Sequence, residues 1–167
     1  MPTLIAFILF CQALGAIVGV VGAIWGELSY LKAMRDGRID HAEKAHLHKI
    51  AHGLRWGMTL LLIASLALVS IAYVTRVSDQ PALAPAYWSL MVLALVVIYV
   101  SWALSRGRIS FTLGSAIAFT GWWFLAYITL GLFPLLSFGA LIAFFVVATA
   151  IFYGILKYAR LLAGQKR

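Results

Sequence analysis

A chain of 167 residues that is 64% hydrophobic and 11% charged has too little polar surface to coat a soluble globule of its size, so lipid is its expected solvent. Its formal charge of +8 does not argue for nucleic acid, because the basic residues stand at the ends of apolar spans and none forms a patch interleaved with exposed aromatics. The single cysteine, Cys11, excludes an intrachain disulfide and a cysteine-based metal site within one chain.

Five apolar stretches approach or exceed the roughly 20 residues a helix needs to cross the hydrocarbon layer. The expected fold is all-α: a polytopic membrane helix bundle forming one domain over 1–167, with helices at about 3–35, 40–75, 85–105, 109–131 and 134–160. The first run has no Lys or Arg before it and is long enough to span, so it reads as a retained anchor rather than a cleaved signal. It carries Gly15, Gly19, Gly22 and Gly26 on one stripe, with GxxxG twice, where helix backbones approach closely. The stripe is expected to pack against the second helix, with a homodimer seam as the alternative. Gln12, a buried amide in lipid, calls for an interhelical partner.

Residues 22–56 hold four of the five acids, all four histidines and six of the thirteen basic residues. Only Asp36-Gly37 interrupts helix-forming sequence there. Gly suits a helix C-cap, and Asp40 with Glu43 three residues on has capping-box spacing, so the first two helices are expected to run past the membrane and meet at a tight turn. DGRIDHAE also matches half of an EF-hand loop, but two further ligand positions fall on Lys32 and Met34, and capping explains the same acids. At 100° per residue His41, His48, His52, Arg55 and Thr59 share one polar stripe, opposite Leu47, Ile50 and Leu54. Folding the hairpin about its turn sets Glu27 level with His48. An acid facing an i, i+4 histidine pair suits Zn²⁺, Fe²⁺ or Mn²⁺, making Glu27, His48 and His52 the candidate metal ligands. The plainer expectation pairs Glu27 with Lys49, Arg55 or a protonated histidine.

Beyond the hairpin, Pro81 and Pro85 mark a short loop with Asp79, and Gly131 with Pro134 a tight turn. Ser110, Thr112, Ser115, Thr120 and Thr129 in the fourth span are expected to return their hydroxyls to helix carbonyls. Trp25, Tyr30, Trp56 and Trp102 suit one membrane interface, and Tyr73, Tyr87, Trp88, Trp122 and Trp123 the other. Alternate connections carry twelve basic residues and one, which predicts the N-terminus outside and the C-terminus in the cytoplasm of a multi-pass inner (plasma) membrane protein.

With its Gly-rich first helix, boundary acid and DG turn followed by an acid, the first 75 residues resemble uncharacterised small polytopic bacterial inner-membrane proteins. A fainter likeness is to copper-resistance and haem-oxidase-type membrane bundles. That likeness implies haem b, but those families keep a histidine in the first span, where this chain has Gln12. There is no Ser-His-Asp ordering, paired intramembrane carboxylate or Gly-rich phosphate loop, so no catalytic residues are assigned. The expected function is a non-catalytic accessory or binding protein whose hairpin contacts a partner, alone or within a homo-oligomer or larger membrane complex. The alternative is metal handling or redox chemistry at Glu27, His48 and His52, with a divalent transition metal or, failing that, haem b.

Overall fold

Long apolar runs in lipid fold into helices because a helix satisfies every backbone N–H and C=O within one segment. The structure, a computed structural model, describes residues 2–33, 41–76, 81–133 and 137–164. Over those residues the fold is all-helical: α1 (Pro2–Ala33), α2 (His41–Val74), α3 (Pro85–Ser105), α4 (Phe111–Thr129) and α5 (Phe138–Gly164), with one 3-10 turn at Pro81–Leu83. All five helices are long and apolar enough to cross a membrane. Their outward faces carry residues such as Phe7, Leu66, Leu95 and Val146, each about 60% exposed, which suits lipid and not water.

Helix α1 runs seven residues past Gly26, and α2 begins at His41. The DG turn expected to join them, the EF-hand-like positions between residues 34 and 40, and the side chains of His41 and Glu43 lie outside the described residues. The connections after α3 and α4 close by one device. Gly107 and Gly131, both at φ 65°, let the next N–H reach back five residues, Arg108 to Ala103 O and Leu132 to Tyr127 O, at 2.9 Å each. These are Schellman caps, in which glycine takes the left-handed position without a Cβ penalty. Helix α4 is accordingly two residues shorter at each end than expected. Helix α5 starts at Phe138, later than the expected 134, and Ser137 caps it by accepting the Ala140 N–H at 3.3 Å.

Helix α4 is the hub, contacting α1, α3 and α5, with half of its apolar window buried against 17% for α5. The tightest contact joins α1 to α2. An added Cβ at Gly15 would stand 2.8 Å from Gly57 O and Leu61 N, and one at Gly57 would stand 2.9 Å from Gly15 O. The antiparallel pairing continues through Gly22 against Leu54 and Gly26 against Ile50. Gln12 Nε2 donates to Ser65 Oγ at 2.8 Å, the interhelical link its burial demanded, while Ser65 donates to Leu61 O. Gly19 serves a different neighbour: the buried Trp122 ring of α4 lies where its Cβ would be. The glycine stripe is therefore covered from within the chain, by α2 and α4 together. Trp122 is a packing residue and not part of an interfacial belt.

Gly15→Ala is expected to cost about 1–3 kcal/mol, because its methyl meets rigid backbone and overpacks the seam. Gly53→Ala and Gly154→Ala, with nothing within 4 Å of the added Cβ, should be neutral or stabilising by up to about 1 kcal/mol. Thermal unfolding of the three variants in detergent checks the contrast.

Candidate functional site

The polar centre of the bundle is built by three helices at the end where α1 and α5 finish and α4 begins. Arg160 of α5 places Nη2 2.8 Å from Glu27 Oε2 of α1 and 2.7 Å from Ser115 Oγ of α4. Glu27 is 11% exposed and Arg160 10%. Ser115 is free to accept because its own proton turns to Thr112 O at 3.3 Å. The guanidinium carbon lies 5.0 Å from the Tyr30 ring centre and 5.1 Å from that of Phe111, and the two rings sit 4.2 Å apart. Such a cradle holds a planar cation by its π faces while excluding water. Arg160 Nε and Nη1 are buried without a hydrogen-bond partner, so the ring contacts carry part of their solvation. Arrangements of this kind hold helices in one orientation, because removing either partner strands a charge out of water.

The structure thus corrects the expected partner of Glu27, which is neither Lys49, Arg55 nor a histidine but an arginine 133 residues away. The antiparallel pairing, with Gly26 against Ile50, does put Glu27 level with the His48 region of α2. Its carboxylate, however, is committed to α5. His48 is exposed, and His52 Nε2 accepts the Trp56 indole N–H at 2.9 Å, which occupies the lone pair a metal would need. His46 Nε2 likewise accepts from Trp25 at 3.1 Å, tying α1 to α2. Among the described residues no three His, Cys, Asp or Glu side chains come together to hold an ion, so Glu27, His48 and His52 do not form one donor set.

Two further residues of the site stood in the sequence without being assigned to it. Arg160 reads there as one of several cations flanking the fifth span, and Ser115 as a self-bonded hydroxyl. The one signal for Arg160 is that an acid at the end of an apolar helix requires a cation from some helix. Expected hydroxyl return also fails at Thr120 and Thr129, whose buried Oγ1 atoms have no partner. Comparison of the chain with protein-family models, curated proteins and solved structures finds no match.

Replacing one member of the pair, by Glu27→Leu or Arg160→Leu, should destabilise the bundle by about 3–5 kcal/mol, the usual cost of an uncompensated buried charge. The double variant should recover most of that loss. Unfolding titrations on all four proteins give the coupling directly, and additive losses would show that the pair acts separately.

Proposed function

We propose that the chain is a non-catalytic binding or accessory protein of the inner (plasma) membrane, with its N-terminus outside, whose α1–α2 hairpin projects into the cytoplasm and contacts a protein partner. The observation carrying this reading is the commitment of Glu27 to Arg160. It spends the boundary acid of α1 internally and leaves His46, His48, Lys49, His52 and Arg55 exposed along one stretch of α2. Side chains of that kind offer hydrogen-bond donors and positive charge to carboxylates on a partner's surface. The opposite side of the same stretch supports the presentation. Ile50 and Leu54 pack on Gly26 and Gly22, so the polar side is held outward by apolar packing behind it.

The sorting of charge supports the orientation. Described cations Lys32, Lys49, Arg55, Arg106, Arg108, Lys157 and Arg160 belong to the hairpin end of the bundle, with Arg76 at the other, as the positive-inside tendency asks of a cytoplasmic face. In a Cys11→Ser background, Lys49→Cys should react with an impermeant thiol reagent only once the cytoplasmic side is opened. A photo-crosslinking residue at His48 should give discrete protein adducts in native membranes that are missing when the same residue replaces lipid-facing Val146. Equal adduct patterns at both positions would remove the partner-binding reading.

A further inference from the structure

Helices α2 and α3 follow one another in the chain but touch at few points. A groove of about 590 Å³ opens between them on the hairpin side of the bundle. Its walls are apolar below, with Met58 and Leu62 from α2, Val97 and Ile98 from α3 and Trp122 behind, and polar above, with Arg55 from α2 and Ser101, Trp102 and Ser105 from α3. Two more guanidinium groups gather at that polar end. Arg108 stands 4.7 Å and Arg106 5.5 Å from the Trp102 ring centre.

Among the described residues no ion pair compensates the charge at this rim. No acid lines the groove, and among the described residues the one ion pair uses Arg160 and Glu27, away from it. The nearest acid before Arg55 on α2 is Glu43, about 18 Å along the helix axis. The hydroxyls are satisfied within their own helices, Ser101 on Val97 O and Ser105 on Trp102 O, both at 2.7 Å, so the charged donors left at the rim are guanidinium N–H groups. The kind of cation is informative as well. Lys32, Lys49 and Lys157 stand exposed elsewhere at this end, whereas every cation at the groove is arginine. Orientation in a membrane needs only positive charge and does not distinguish the two. A fork of donors that grips a phosphate through two oxygens does.

We propose that this groove seats one anionic phospholipid, its headgroup phosphate held by Arg55, Arg106 and Arg108 and an acyl chain lying along Met58, Leu62 and Val97. Trp102 is the positioning residue, stacking two of the arginines so that they lose little freedom on binding. Basic pockets between spanning helices at the membrane surface have the chemistry for such headgroups, and a helix pair that does not close on itself leaves room for a chain.

Native mass spectrometry of the purified chain with equal phosphatidylglycerol and phosphatidylcholine tests this. One phosphatidylglycerol should be retained per chain, preferred by about tenfold or more, the factor that one hydrogen bond to a charged group carries. Arg55→Gln with Arg106→Gln and Arg108→Gln should abolish the preference. Lys32→Gln with Lys49→Gln and Lys157→Gln, which removes as much charge elsewhere, should leave it intact. Ser101→Leu fills the groove with every arginine in place and should also expel the lipid, which keeps the test valid if the arginine triple variant misfolds. Equal retention of both lipids, equal losses in the arginine and lysine triple variants, or release by millimolar inorganic phosphate would each overturn the proposal.

Discussion

In lipid an apolar side chain gains little by turning inward, so helices must be held by close backbone contact and by the few polar groups that cannot face hydrocarbon. Here the second kind is concentrated in one place. The Glu27 carboxylate, the Arg160 guanidinium and the Ser115 hydroxyl join α1, α5 and α4 within 2.8 Å contacts, roofed by Tyr30 and Phe111. Because α5 buries little of its apolar surface, this link fixes its rotation more than packing does. The rotation of α1 is fixed by the same bond, and with it the side of α1 on which α2 lies.

Fold and site were legible to different depths. Five helices, their order and their rough limits follow from apolar run length and glycine punctuation, which are local properties. So does the antiparallel height match between α1 and α2, since a helical hairpin puts equal chain distances at equal levels. Rotation about a helix axis is another matter. The sequence sets Glu27 at the right level but points to the wrong neighbour, because a carboxylate at a membrane boundary accepts any cation within reach and twelve basic residues at that end qualify in sequence terms. Only the three-dimensional seating of α5 selects Arg160. Gly57 is obscured for a similar reason: it forms a GxxxG step with Gly53 on α2, yet only the rotation of α2 decides that Gly57 meets Gly15 backbone to backbone while Gly53 meets nothing.

Trp122 shows how tertiary packing overrides a compositional rule. Tryptophan near the end of an apolar run usually marks the headgroup zone. In this bundle it is 2% exposed, filling the notch that Gly19 leaves in α1 and forming the back of the α2–α3 groove. One large ring thus completes a glycine seam on one side while keeping two helices apart on the other. The sequence offers the glycine and the tryptophan 103 positions apart, and nothing local connects them.

That separation gives the bundle an uneven build. Helices α1 and α2 are locked backbone to backbone, α4 holds α1, α3 and α5, and α3 reaches the rest chiefly through α4, where Gly114 and Gly121 admit Leu104 and Val97. The seam between α2 and α3 is the one neighbouring pair along the chain without such a fastening. Arg55 belongs to two features at once, lining the groove and ending the exposed polar stretch of α2. A lipid seated as proposed in the seam would therefore touch the base of the surface proposed to meet a partner. Within a bundle whose other helices are pinned by glycine seams and a buried ion pair, a change in occupancy there has α2 and α3 as its softest outlet, and the segment most directly moved is the one carrying His48, Lys49 and His52.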